Sequence, residues 1–206
     1  MTAEKLDLKK TLKALYTPST EDFTLVDVPT MRFVKVDGQG DPNKAEGYQQ
    51  GLNWIYSVSY ALKFASKAEL GKDYAVMPLE TLWWADDMAD FTARKKDDWR
   101  WTQMVMTPAF VSEKMYEAAV EKTRKKLGDP PASLRFEPYR EGLAAQILHI
   151  GSYDDEAPTI KRLHEEFIPR NGLIENGLHH EIYLSDPRKT EAAKLRTILR
   201  HPVRHK

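Results

Sequence analysis

The chain has 206 residues, 31 Lys and Arg balanced by 31 Asp and Glu, and no cysteine. This length holds one large core or two smaller halves. The balanced charge argues against general nucleic-acid affinity, which needs a basic face to displace counterions. The lack of cysteine excludes disulfides, thiolate nucleophiles and zinc–thiolate sites.

Met1 to Lys10 holds no apolar core of signal-peptide length. No stretch approaches the about 20 apolar residues of a membrane span, so a cytoplasmic protein is expected. Residues 1–22 are charged, lack an apolar period and contain the breaker Pro18-Ser19-Thr20. They predict an arm laid on the surface. Two strand-like runs follow, Phe23-Thr24-Leu25-Val26 and Met31-Arg32-Phe33-Val34-Lys35-Val36, the second with Met31, Phe33 and Lys35 on one face. Gly38-Gln39-Gly40-Asp41-Pro42-Asn43 is a loop by composition. Helical spacing runs from Lys44 to Lys67, with Leu52, Ile55, Ser59 and Leu62 as the core stripe. Trp54, Tyr56, Tyr60 and Phe64 lie beside that stripe. They either pack on a sheet or line one edge of a pocket.

Tyr74 to Trp84 and Trp99 to Met106 read as an antiparallel pair, joined by a charged, solvated excursion from Ala85 to Asp98. Glu113 to Leu127 is a helix with Met115, Ala118, Ala119 and Leu127 on its apolar side. Gly128-Asp129-Pro130-Pro131 stops it and serves as the linker. Arg135 to Tyr139 and Leu143 to Ile150 are strands. Asp154 to Ile168 is a helix with Ala157, Ile160, Leu163 and Phe167 inward, closed by Asn171-Gly172. Leu178 to Ser185 and Lys194 to His201 complete the strands. The tail after Pro187, with seven Lys or Arg and one Glu, reads as a solvated chain end.

The same unit is thus written twice: strand, glycine turn, amphipathic helix, strand, turn, strand. Copy one runs from about Pro29 to Pro108 and copy two from about Phe136 to Pro202. With their flanks the halves cover about 23–127 and 132–202 of a single domain spanning 23–206. The match is one of pattern, not identity. The expected fold is α+β, with duplicated β-α-β-β units related by pseudo-two-fold symmetry. A ligand cleft is expected on that axis, because interfaces of this kind favour pockets.

Two clusters could carry chemistry. Trp83, Trp84, Trp99 and Trp101 fall on one predicted hairpin, more aromatic surface than a small sheet needs for packing. Flat walls of this kind suit planar, apolar or cationic ligands. The second cluster is Leu178-His179-His180-Glu181-Ile182-Tyr183-Leu184-Ser185. Alternation sends Leu178, His180, Ile182 and Leu184 to one side and His179, Glu181, Tyr183 and Ser185 to the other. The polar side is either a solvated outer face or looks into the cleft, where Glu181 suits a general base or a counter-ion. Glu80 is its repeat-related partner, and two carboxylates across a cleft would form an acid–base arrangement. His179-His180 does not make a metal pair, since adjacent strand residues point to opposite faces, and no third ligand has useful spacing. No phosphate-binding glycine fingerprint, nucleophile elbow or helix-turn-helix is present. No cofactor is expected.

Five blocks together carry a family resemblance. They are Val36-Asp37-Gly38-Gln39-Gly40-Asp41-Pro42, Tyr60-Ala61-Leu62-Lys63, Pro78-Leu79-Glu80-Thr81-Leu82-Trp83-Trp84, Gln146-Ile147-Leu148-His149-Ile150-Gly151 and Leu178 to Arg188. Spread over roughly Val28 to Pro202, they resemble the stand-alone branch of the GyrI-like small-molecule-binding family. The resemblance implies a duplicated β-α-β-β fold with a central cleft for bulky apolar, often cationic compounds, held against aromatics and a buried glutamate. Glu181 falls where the family places that glutamate. The branch includes hydrolases that open the cyclopropane of DNA-alkylating natural products and so detoxify them. On this resemblance the ligand is a small-molecule xenobiotic. Glu181 and Tyr183 are the expected catalytic pair, and Trp84, Trp101, Tyr56, Glu80, Trp83, Trp54 and Trp99 the expected ligand-binding residues. The rivals are a non-catalytic multidrug binder or sensor, related to effector domains of transcription regulators, and a protein-interaction module. With no DNA-binding domain, a regulator would need a separate partner.

Overall fold

The computed structural model describes residues 5–86 and 95–206. Residues 1–4 of the expected arm and 87–94 of the expected excursion lie outside the described residues. In chain order the first elements are α1 (Leu8–Thr11), α2 (Lys13–Tyr16), β1 (Thr24–Val28), β2 (Met31–Gln39), α3 (Glu46–Leu70) and β3 (Glu80–Trp84). β4 (Arg100–Thr107), α4 (Glu113–Leu127), β5 (Arg135–Tyr139) and β6 (Gly142–Ile150) follow. The chain then forms α5 (Ala157–Arg162), a π-helical turn (Leu163–Phe167), α6 (Ile168–Arg170), β7 (Leu173–Glu175), β8 (His179–Tyr183) and β9 (Arg196–His205).

These elements fall into two units. The first holds Met31–Met77, Trp83–Tyr139 and the N-terminal segment ending at Thr11; the second holds Leu12–Thr30, Pro78–Leu82 and Arg140–Lys206. The α+β class and the doubled strand–helix–strand–strand order are both present: β2, α3, β3, β4, then β6, α5–α6, β8, β9. Within the first unit β2 pairs antiparallel with β4 on one edge and β5 on the other. Within the second, β6 pairs antiparallel with β1 and β9, and β9 with β8 and β7. The outer strands are exchanged in chain order: β1 precedes β2 but pairs with β6, and β5 precedes β6 but pairs with β2. Among the described residues no helix is long and apolar enough to cross a membrane.

Local sequence explains both ends of the fourth helix. α4 begins where the Ser112 side chain accepts the Met115 amide and ends at Gly128, whose N–H donates to the Arg124 carbonyl. Gly128 has φ of 82°, a conformation that glycine adopts without penalty. α3 turns the expected stripe inward, with Leu52 at its edge and Trp54 and Val58 added to it. Gly51, Trp54, Ile55, Val58, Ser59 and Leu62 are buried, Leu52 only partly so, and Tyr60 and Phe64 are exposed. The aromatics at 60 and 64 therefore do not pack on a sheet, and Trp54 is core.

In the second unit the predicted helix is broken by a π turn. Pro169 can neither donate an amide to the Glu165 carbonyl nor let its ring pass that carbonyl in a regular helix. The wider π winding relieves that conflict and delays the apolar stripe. Leu163 and Ile168 are the buried residues, while Phe167 is only partly buried and Ala157 is exposed. Phe23, Ala145, Ile147, Leu163, Ile168, Leu173, Leu199 and Val203 make this unit's core. Two further expectations are corrected. The N-terminal arm buries Leu15 and Tyr16, and the basic tail is not solvated throughout: its expected last strand, β9, holds Arg200 at 0% exposure.

Candidate functional site

Alternation along β6 and β9 gives the sheet of the second unit two chemically different sides. Ala145, Ile147, Leu199 and Val203 belong to the apolar core under the helices. Gln146 and Arg200, paired across the strands, point to the opposite side. β8 follows the same rule: Glu181 is opposite Leu199 and His180 is opposite Arg200. Glu181 and Tyr183 therefore share the helix side, and His180 and Ile182 the other.

The His180 side carries a closed polar network. The Tyr16 hydroxyl donates to Glu80 Oε1 at 2.8 Å. His180 Nε2 lies 3.0 Å from Glu80 Oε2 in an ion-pair contact, and His180 Nδ1 lies 3.0 Å from Glu141 Oε1. Arg200 donates to Glu141 Oε2 at 3.2 Å, to Gln146 Oε1 at 3.0 Å and to the Leu15 carbonyl at 2.6 Å. The Gln146 amide donates to the Ala14 carbonyl at 2.7 Å. Burial alone would lower the His180 imidazole, but Glu141 and Glu80 outweigh it and raise its pKa to about 9. Burial would raise Glu141, but His180 and Arg200 hold it down at about 2. Burial, then the adjacent Glu80 carboxylate, pushes the Tyr16 phenol well above its ordinary range. Two cations thus face two carboxylates, which is how buried charges are tolerated. The network clamps the backbone at Ala14 and Leu15.

This corrects the expected pairing of Glu80 with Glu181. Glu80 is fully buried and committed to His180 and Tyr16, on the side of β8 away from Glu181. Glu181 has different company. The Tyr183 hydroxyl donates to its Oε2 at 2.7 Å, and His179 Nε2 lies 3.3 Å from its Oε1. Its side chain keeps 13% exposure. The Tyr183 ring stands edge-on to Tyr153 at 5.6 Å. Burial lifts the Tyr153 phenol to about 12, with the charges of Glu156, Glu181 and Asp186 adding to it. The result is a carboxylate flanked by phenols and an imidazole, on a rigid strand.

The first unit holds the aromatic cluster. Tyr48 stacks on Trp83 at 6.1 Å and meets Trp101 edge-on at 5.0 Å; Trp83 meets Trp99 edge-on at 5.6 Å. Trp101 is 1% exposed and Trp83 is buried, so both are chiefly packing rings. Trp84, Trp99 and Tyr56 are half-buried and keep accessible ring area. Trp54 belongs to the core of this unit. Sequence reasoning missed Tyr48, Tyr153, Tyr16, Glu141 and Arg200. Only the first two carried a signal, as aromatics near the ends of predicted elements.

Comparison with known proteins now bears on this arrangement. A family model for the GyrI-like small molecule binding domain matches residues 21–204. The chain belongs to the GyrI-like family. An uncharacterized conserved protein from Listeria innocua is 36% identical to this GyrI-like chain, covering 97% of it and 100% of its own length, with a TM-score of 0.89. A hydrolase from the same organism is also 36% identical, over 97% of this chain and 100% of its own, with a TM-score of 0.84. The EcmrR C-terminal domain is 14% identical over 90% of this chain and 98% of its own, with a TM-score of 0.56. That last likeness is one of fold alone. No curated protein matches the chain. The GyrI-like match contains every expected site residue, whereas Tyr16 of the buried network lies before it.

Proposed function

We propose that this GyrI-like protein binds bulky planar apolar or cationic small molecules and hydrolyses cyclopropane-containing genotoxins, with Glu181 as general base. The observation that carries the reading is the Tyr183–Glu181 hydrogen bond of 2.7 Å on a partly accessible face. The 36% identical hydrolase from Listeria innocua supports a hydrolytic activity. The resemblance to cyclopropanoid hydrolases supplies the substrate class.

In the proposed reaction water attacks the less hindered cyclopropane carbon of a ring fused to a dienone. The C–C bond breaks, its electron pair moves to the carbonyl oxygen, and a phenol forms once that oxygen gains a proton. Glu181 takes the proton that water loses. Tyr183, donating to the same carboxylate, orients it toward that water. Trp84, Trp99 and Tyr56 are the proposed stacking surfaces, with Trp83 and Trp101 as their support. Glu80 is assigned to the buried network and given no step. No cofactor takes part in the proposed reaction, and the proposed setting is the cytoplasm.

The test incubates purified protein with a cyclopropane-containing alkylator and follows ring-opened product by mass spectrometry, with Glu181→Gln in parallel. Loss of a general base is expected to slow turnover by about 10²–10⁴-fold. Unchanged turnover in Glu181→Gln sinks the assignment. No product from either protein, with tryptophan quenching by a rhodamine dye, supports a binder or sensor instead.

A further inference from the structure

On the helix side of the second unit, three ligand-type side chains from three different elements converge. His164 comes from the π turn, Glu175 from the end of β7 and His201 from β9. Their nearest ligand atoms all lie within 4.8 Å of one another. His164 Nδ1 is 2.7 Å from Glu175 Oε1, and His201 Nε2 is 3.5 Å from Glu175 Oε2. The two imidazole rings meet edge-on at 4.8 Å. None of the three belongs to the Tyr16–Arg200 network or to the proposed catalytic pair.

His201 gives the cluster its meaning. It is 3% exposed; Nδ1 makes no hydrogen bond among the described residues, and Nε2 has only the long 3.5 Å contact to Glu175. A buried polar atom left in this way calls for a partner, commonly a water or an ion. We propose that His164, Glu175 and His201 bind one late first-row divalent cation, zinc above all.

The donor set suits that class. Two imidazoles and a carboxylate favour zinc and its neighbours over calcium or magnesium, which prefer all-oxygen shells. Bonds of about 2.0–2.1 Å in a tetrahedron put ligand atoms about 3.3 Å apart, by geometry from known zinc–ligand lengths. The two contacts to Glu175, 2.7 and 3.5 Å, lie on either side of that spacing, and all three ligand atoms lie within 4.8 Å of one another, so binding an ion would draw the two imidazoles together by side-chain rotation. The His164 and Glu175 side chains are 27% and 51% exposed, which leaves an entry path and an open fourth position for water. The ion would tie the π turn to β7 and β9.

Isothermal titration of untagged protein with zinc chloride tests this, together with the visible absorption of a cobalt-loaded sample. The expected result is saturable one-to-one binding and the intense bands of four-coordinate cobalt. His164→Ala and Glu175→Ala, both at accessible positions, should each weaken binding more than about tenfold with unchanged circular dichroism. His149→Ala should bind as the parent does. Absence of one-to-one binding, or binding indifferent to His164 and Glu175, overturns the proposal.

Discussion

Gly38→Ala isolates the packing beneath the aromatic cluster. Gly38 lies inside β2, opposite Trp101 on β4. A Cβ there would fall 2.0, 2.2 and 2.7 Å from three carbons of the Trp101 ring. Carbon pairs need about 3.5–4.0 Å, so the indole must move by about 1.5 Å. It has little room, being 1% exposed with Tyr48 edge-on at 5.0 Å. Overpacking of this kind costs about 1–3 kcal/mol. Stiffening the unfolded chain returns about 0.4–1 kcal/mol. The net expectation is a loss of about 1–2 kcal/mol, or roughly 2–8 °C in Tm for a chain of this size. Urea unfolding followed by tryptophan fluorescence measures it, with the same substitution made in a Trp101→Leu background. There the ring is gone, and Gly38→Ala should be neutral or slightly stabilising. An equal loss in both backgrounds refutes the reasoning.

The buried network makes two further predictions. Glu141→Gln leaves Arg200 and the His180 imidazolium facing each other in the core, and should cost about 3–5 kcal/mol in urea unfolding. Stability should also depend on pH in opposite senses at the two ends. The folded pKa of His180 is raised from 6.5 to about 9, so its contribution is whole below 6.5 and is lost as pH rises through about 9. That of Glu141 is lowered from 4.5 to about 2, so its contribution is whole above 4.5 and is lost as pH falls through about 2. Each limb should slope by at most about 1.4 kcal/mol per pH unit for one proton. Urea midpoints across that range check it, and a parent protein with no steeper alkaline limb than Glu141→Gln contradicts the assignment.

Legibility in the sequence followed locality. The bounds of α4 are readable to the residue, because its Gly128-Asp129-Pro130-Pro131 stop and its period lie within one short stretch, although Ala118 and Leu127 of the expected apolar side are exposed and Thr123 is buried. β5 is equally plain. Gly38 is not, since composition alone marks Gly38-Gln39-Gly40 as loop, and only the Trp101 ring across the ladder explains a glycine within a strand. The phase of the second helix fails for a similar reason: the effect of Pro169 on winding spreads back through a whole turn. β7 has three residues and no period to detect. In the candidate site the alternation of β8 is legible, but the meaning of its two sides is not. Glu141 and Arg200 reach His180 only through the β6–β9 and β8–β9 registers, which no local pattern encodes.

That difference between the two sides of β8 bears directly on which acid can do chemistry. Glu80 and Glu141 are bound into a set of opposite charges, and removing either charge strands a buried cation. Such acids are held for structure, since protonating them during a reaction cycle would disturb the clamp on Ala14 and Leu15. Glu181 is bonded to a phenol and lies beside an imidazole, with part of its side chain accessible. A proton gained there alters the contacts to Tyr183 and His179, both on the same strand. Two adjacent residues, His180 and Glu181, thus differ in kind: one is locked into the core, and the other, the proposed base, keeps part of its side chain accessible.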